Sequence, residues 1–309
     1  PDWVGESEAM VRVRRMLRRA AQSSLHLVVT GETGTGKEVV AQLCHAWSPR
    51  ASGPFVVVNC AAIPGELIES ELFGHEKGAF TDAHAQRRGK LEAADGGTLF
   101  LDEIGDMPVQ QQARLLRAME TGTFNRVGGN EILRSDFRVV AATNRDLDAA
   151  MRNNEFRSDL YHRLAGVHLH LPPLREREGD VAALARHFFA AFRMSSQPPK
   201  ESLSSDAVAW LAAQPWPGNV RELKRAVERA VHLCPNPAID AAALQAVLRQ
   251  DDSAPRAEAG DIHRSLADIE RDHIERVVSA YADNLQAAAK VLGIARSTLY
   301  KKLSEYNLR

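Results

Sequence analysis

The segment GETGTGKE at residues 31–38 constrains this chain more than any other. It follows the apolar run LHLVVT and precedes a segment patterned as a helix. A GxxxxGK spacing between a strand and a helix commits the chain to a phosphate-binding loop. Its glycines let backbone N–H groups curl around phosphate oxygens, Lys37 adds a point charge, and the helix N-terminus adds its partial positive charge. The Ser or Thr that usually follows the lysine and contacts magnesium is replaced by Glu38. A metal held here must therefore lean on another carboxylate. GGTLFLDEIGD at 96–106 supplies one, because Asp102 and Glu103 end an apolar run at the C-terminal end of an expected strand, where α/β sheets place ligands. Asp102 suits magnesium, directly or through water, and Glu103 suits polarising an attacking water.

The rest of the chain supports a fold around that loop. The runs at 25–31, 55–60, 98–103, 137–144 and 167–173 are rich in Val and Leu and alternate with longer helical segments. This pattern predicts an α/β fold with a mostly parallel sheet covered by helices on both faces. From about residue 176 to 249 the pattern is wholly helical, as in DVAALARHFFAAF and VRELKRAVERAVHL. RQDDSAPRAEAGD at 249–261 has little to bury and reads as a linker. A last helical segment runs from 262 to 309.

Net charge is −1, so the chain is not a polycation and any nucleic-acid contact must come from a local patch. That patch is predicted in NLQAAAKVLGIARSTLYKKLSEYNL, which reads as helix, turn at Gly293, helix. Ala287, Ala288 and Leu292 are expected to face inward. Arg296, Ser297 and Thr298 stand at the start of the second helix, where base edges are read, and Lys301 and Lys302 suit phosphates. In the stretch from Lys290 to Arg309, five basic residues face Glu305 alone. Cys44, Cys60 and Cys234 are far apart and predict neither a disulfide framework nor a zinc site, as expected in a reducing cytosol. His168 and His170 share a strand face without an evident third ligand, which reads as a structural pair. No apolar run approaches the roughly 20 residues that cross a bilayer. The chain begins at Pro1 rather than Met, which suggests more sequence upstream.

A polar loop with an aromatic tip, ELFGHEKGAFTDAHAQRRG at 71–89, fits none of these elements and is expected to touch a partner. With it, the chain resembles the AAA+ domain of bacterial enhancer-binding proteins, the activators that remodel sigma-54 RNA polymerase. VGES, GETGTGKE, VNCAAI, ESELFGHEKGAFTDA, GGTLFLDEIG, RVGG, AATN, FRSDLYHRL, LPPLRERE and WPGNVRELK all occur in the family's order, and Glu38 after the lysine is usual there.

The resemblance implies an ATPase subdomain over 1–175, a helical lid over 176–248, a linker over 249–261 and a Fis-type helix-turn-helix domain over 262–309. It gives nucleotide binding to Gly31, Glu32, Thr33, Gly34, Thr35, Gly36, Lys37 and Glu38. Asp102 would hold Mg²⁺ and Glu103 would act in hydrolysis of ATP. Asn59 resembles the residue that holds the catalytic glutamate aside; a capping Asn at a strand end is the alternative. Thr143 and Asn144 resemble sensor I, Arg221 resembles sensor II, and Arg157 and Arg163 match arginine fingers acting in trans. Fingers of that kind imply a ring, a hexamer or heptamer built from dimers that pair through LADIERDHIERVVSAY at 266–281. Phe80 and Thr81 would contact sigma-54, and NRVGGNE at 125–131 would be the supporting loop. The family's GAFTGA reads GAFTDA here, with Asp82 in place of Gly.

Three functions follow as expectations. The first is an ATP-driven, cytoplasmic activator of the sigma-54 holoenzyme bound to double-stranded enhancer DNA, with an upstream receiver of the two-component kind or a ligand-sensing domain. The second is a regulator of the same architecture that acts independently of sigma-54 because of Asp82, with ATP controlling assembly. The third is an AAA+ unfoldase or helicase, against which the helix-turn-helix and the GAFTDA loop argue.

Overall fold

Alternation with period two sorts the central strands into two cores. Leu27 and Val29 pack with Phe100, Val140 and Ala142 on one face, while Val28 packs with Leu99, Leu101, Val139 and Ala141 on the other. Strands buried on both faces are those of a parallel sheet sandwiched by helices. The computed structural model describes residues 3–81, 83–196, 199–252, 265–281 and 284–306.

The chain falls into two units, Pro1–Leu248 and Arg249–Arg309. The first opens with α1 (Glu8–Ala21), β1 (Leu27–Thr30), α2 (Lys37–Ala46), β2 (Phe55–Asn59) and α3 (Gly65–Phe73). A short hairpin, β3 (Gly74–His75) and β4 (Arg87–Arg88), precedes α4 (Lys90–Ala93), β5 (Thr98–Asp102) and α5 (Val109–Thr121). A second short hairpin, β6 (Thr123–Phe124) and β7 (Leu133–Arg134), leads to β8 (Arg138–Thr143), α6 (Leu147–Arg152), α7 (Ser158–Leu164) and β9 (Val167–His170). The helical part holds α8 (Asp180–Phe192), β10 (Ser202–Leu203), α9 (Ser205–Ala212), α10 (Asn219–Leu233), β11 (Ala238–Ile239) and α11 (Ala241–Asp252). The second unit contains α12 (Leu266–Ala280), α13 (Leu285–Val291) and α14 (Arg296–Glu305).

The sheet is parallel in the order β2-β5-β8-β1-β9. Register pairs Asn59 with Asp102, Thr30 with Thr143, and Thr30 with His170, so these residues share the carboxyl edge. The helical part has its own core, in which Leu184, Phe189, Leu211, Trp216, Leu223, Val227 and Val231 are buried. In the second unit Ile274, Ala288, Ala289, Leu299 and Leu303 form the core, with Leu292 packed against it. Ala289, rather than the expected Ala287, is the second buried alanine of α13. The linker expectation also needs correcting, because residues 249–252 continue α11. The remainder of that stretch, like residues 262–264, lies outside the described residues. No helix among the described residues is long and apolar enough to cross a membrane.

Two groups organise the sheet's amino edge. Arg138 is buried and donates to the carbonyls of Leu25, Ala21 and Ala20, capping the C-terminal end of α1 with a cation. His26 accepts from Val139 N through Nδ1 at 3.0 Å, which requires that nitrogen unprotonated. Burial, with Arg163 and Arg138 nearby, lowers its pKa from 6.5 to about 4. A depressed pKa contributes stability above the unfolded value that is lost as pH falls towards the folded value. Stability should therefore decline between pH 6.5 and about 4, by about 3 kcal/mol from this group. Urea unfolding across that window checks it, and His26→Gln should flatten the decline.

Candidate functional site

The phosphate loop leaves β1 at the sheet's carboxyl edge and enters α2 through Gly36, whose φ is 104°. Gly34 could carry no side chain, since a Cβ there would lie 2.4 Å from the Gly218 carbonyl oxygen. Lys37 is buried, and its Nζ donates to the carbonyls of Gly31 at 2.9 Å and Glu32 at 3.3 Å. The same Nζ lies 3.6 Å from Glu103 Oε1. Glu103 sits just past β5 in the left-handed region, with φ 51° and ψ 51°. Its Oε2 accepts from Asn144 N at 3.0 Å, and Asn144 Nδ2 donates to Thr33 Oγ1 at 2.9 Å. Thr143 is buried at the end of β8 and accepts from Arg145 N. Lys37, Glu103, Asn144 and Thr33 thus form one connected set across β1, β5 and β8. Such a set can cradle phosphate oxygens and hold a carboxylate beside them.

Burial, and then the charge of Glu103, raises the pKa of Asp102. Asn59 differs from its expected partner. Its Nδ2 reaches Asp102 Oδ2 at 3.4 Å rather than Glu103, and its Oδ1 accepts from Ala61 N and Ala62 N. The cause is register, since Asn59 and Asp102 are direct neighbours while Glu103 has turned away at positive φ. Among the described residues no group of three His, Cys, Asp or Glu could hold a metal.

The back of the loop is gripped by Arg221 and by residues that carried no role in the sequence reading. Asn219, fully buried at φ 55°, donates to Glu32 Oε2 and Thr33 O and accepts from Leu174 N. Arg175 makes a bidentate pair with Glu32. That pairing first, then the Asn219 hydrogen bond, lowers the Glu32 pKa to about 2. Buried Arg177 donates to Thr35 O at 2.8 Å. Arg221 N donates to Gly34 O at 3.2 Å, placing this residue on the first turn of α10 beside the loop. LPPLRERE and WPGNVRELK carried the signal for these positions, but which side chain faces the loop depends on how the helical part folds back. The same folding shapes a half-open pocket of about 240 Å³, lined by Trp3, Val4, Thr35, Gly36, Val40, Leu184 and Phe188 among others. Asp180 fixes the VGES segment above it, accepting from Glu6 N, Ser7 N and Ser7 Oγ.

Arg157 and Arg163 stand at opposite ends of α7. Arg157 forms a bidentate pair with Asp159, and Arg163 donates to Met119 O at 3.2 Å. His168 and His170 both hydrogen-bond Thr30 Oγ1, which accounts for the HLH spacing as a structural pair.

The connecting loops of the two short hairpins lie together. Glu76 N donates to Val127 O at 3.0 Å and Val127 N to Gly74 O at 2.9 Å. Arg126, with 10% of its side chain exposed, pairs with Glu76 at 2.9 Å and with Glu92 at 2.7 Å. Gly128 has φ 76°, and a Cβ there would meet Ala79 at 2.8 Å. At the tip Phe80 is 40% exposed, its ring packed edge-on against His75, and Thr81 is exposed. Asp82 lies outside the described residues.

In the second unit Arg296, Ser297, Thr298 and Lys301 are exposed along α14. Lys302 pairs with Glu270 of α12 at 2.6 Å, as does the Tyr306 hydroxyl at 2.7 Å, so a phosphate would have to compete with that carboxylate for it. The balance of charge read from 290–309 missed Glu270 because that residue is remote in sequence.

Comparisons with known proteins agree with this geometry. The family described as "Sigma-54 interaction domain" matches residues 3–170, an "AAA+ ATPase lid domain" matches 175–261, and "Bacterial regulatory protein, Fis family" matches 265–306. The chain is 43% identical to the DNA-binding transcriptional regulator NtrC of Rhizobium meliloti, over 98% of this chain and 69% of that protein. It is 43% identical to the regulatory protein AtoC of Escherichia coli, over 98% and 67%. The crystal structure of NtrX from Brucella abortus in complex with ATP superposes with a TM-score of 0.74 at 34% identity, covering 99% of this chain and 69% of that one. A Thermotoga maritima RuvB mutant, at 16% identity and a TM-score of 0.57, shares the fold over 99% of this chain and 88% of its own.

Proposed function

Because this chain belongs to the sigma-54 interaction domain family of AAA+ ATPases and carries a Fis-type helix-turn-helix, we propose that it hydrolyses ATP in the cytoplasm to remodel sigma-54 RNA polymerase from enhancer DNA. The observation that carries this reading is the Lys37–Glu103–Asn144–Thr33 set at the carboxyl edge of the sheet. In this reading residues 1–175 form the ATPase subdomain, 176–248 the lid and 262–309 the DNA-binding domain.

The loop 31–38 holds the phosphates, with Lys37 on the outer ones, and the pocket beside Trp3, Val4 and Phe188 takes the base. Asn144 feels the γ-phosphate through its link to Thr33, and Arg221 approaches from the lid. Glu103 takes the proton of the attacking water. Asp102 is the residue that would hold magnesium, with Glu38 nearby. Asp102 carries the oxygen ligands that a hard divalent ion takes, and the ion would offset the burial and the repulsion from Glu103 that now hold its pKa up. That ion would supply neutralisation of phosphate charge.

Arg157 and Arg163 serve a neighbouring copy's nucleotide in a hexamer or heptamer. They can do so only by exchanging Asp159 and the Met119 carbonyl for phosphate oxygens, which makes assembly and hydrolysis interdependent. Phe80 and Thr81 contact sigma-54. α14 reads DNA through Arg296, Ser297 and Thr298, with Lys301 on phosphate.

Open-complex formation at a sigma-54 promoter tests the reading. It should require hydrolysable ATP and fail with a non-hydrolysable analogue. Binding to the DNA site with no promoter opening, restored by Asp82→Gly, would instead assign the sigma-54-independent function.

A further inference from the structure

α1 carries five arginines, Arg12, Arg14, Arg15, Arg18 and Arg19, against Glu8 as its single acidic residue. Its apolar side chains Met10, Val13, Leu17, Ala20 and Ala21 are buried, and every arginine is exposed on the opposite arc. At the helical period Arg12, Arg15 and Arg19 fall on one stripe and Arg14 and Arg18 on the next. Arg12 pairs with Glu8, and Arg18 stacks on the Trp47 ring at 5.1 Å. Arg14, Arg15 and Arg19 make no ion pair or side-chain hydrogen bond among the described residues. Val11 and Met16 lie exposed between them.

This charge is concentrated in a chain whose total is −1. From Arg12 to Arg19 the helix rises only about 10 Å, so its arginines stand near one per 2 Å of axis. Duplex DNA presents one phosphate charge per about 1.7 Å. All five cations are arginine, whose planar fork matches phosphate oxygens, and none is lysine. In the second unit, meanwhile, Lys302 is paired with Glu270, which leaves α14 fewer free cations for the backbone than its sequence promises.

We propose that the exposed face of α1 is a second, sequence-independent contact for double-stranded DNA, supplying electrostatic affinity while α14 supplies base readout. This rests on the reading of the chain as a DNA-binding regulator. The full chain is titrated onto a labelled duplex of scrambled sequence across roughly 50 to 200 mM salt. Arg14→Gln/Arg15→Gln/Arg19→Gln spares the Glu8 and Trp47 contacts. It should reduce the slope of log affinity against log salt by about 2 to 3, near 0.9 for each phosphate that is no longer neutralised. ATP turnover should be unchanged, and the matching triple Arg→Lys variant should restore the slope. Arg296→Ala, by contrast, should erode preference for the specific site and leave most of the slope.

A wild-type slope in the Gln variant overturns the proposal while leaving α14 as the DNA reader. So does failure of the Lys variant to restore it, or loss of ATP turnover with it, since the arginines would then act structurally. Absence of duplex binding by the unmodified chain would overturn both this inference and the DNA-binding reading.

Discussion

Glu103→Gln is expected to lower ATP turnover by about 10²- to 10⁴-fold while nucleotide still binds. The amide keeps the size and backbone preference of the carboxylate, and its carbonyl oxygen can still accept from Asn144 N, which Glu103 Oε2 holds at 3.0 Å. It cannot take a proton from water. It also removes the negative partner that lies 3.6 Å from Lys37 Nζ, leaving that cation freer for phosphate. Equilibrium binding of a labelled nucleotide alongside steady-state hydrolysis separates the two effects. A loss of less than tenfold in turnover would reassign the proton acceptor, with Asp102 the nearest alternative.

Arg126→Ala is expected to separate hydrolysis from work on the polymerase. This guanidinium is nearly buried and holds Glu76 of the first loop and Glu92 of α4 at once, while Val127 beside it is hydrogen-bonded to Gly74 and Glu76. Removing it leaves Glu76, Glu92 and, at 3.8 Å, Glu131 without their shared cation, which loosens the two loops. Promoter opening should fall by about tenfold or more, the factor to which about 1.4 kcal/mol of coupling corresponds. ATP turnover should stay near the wild type, because Arg126 touches none of Lys37, Asp102, Glu103 or Asn144. Arg126→Lys should recover part of the opening activity, since a single ammonium can face both acids but cannot reproduce the bidentate pair with Glu92. Equal loss of both activities would place Arg126 in the fold rather than in the coupling.

The parts of this protein legible from its residue order are those written in local spacing. GETGTGKE between a strand and a helix determines a phosphate loop, because backbone N–H groups and a helix terminus need only neighbours in the chain to converge. Val- and Leu-rich runs of four to six residues determine the sheet strands, and LDE at the end of one determines a carboxylate at the sheet's edge. What the tertiary structure alone decided is which distant side chains share a hydrogen bond. Asn59 meets Asp102 rather than Glu103 because strand register and one left-handed residue set the pairing. Asn219, Arg175 and Arg177 reach the phosphate loop across more than a hundred residues of chain, and Glu270 claims Lys302 from another helix. Side-chain hydrogen bonds act over about 3 Å, so they are settled only when packing brings their partners to that distance.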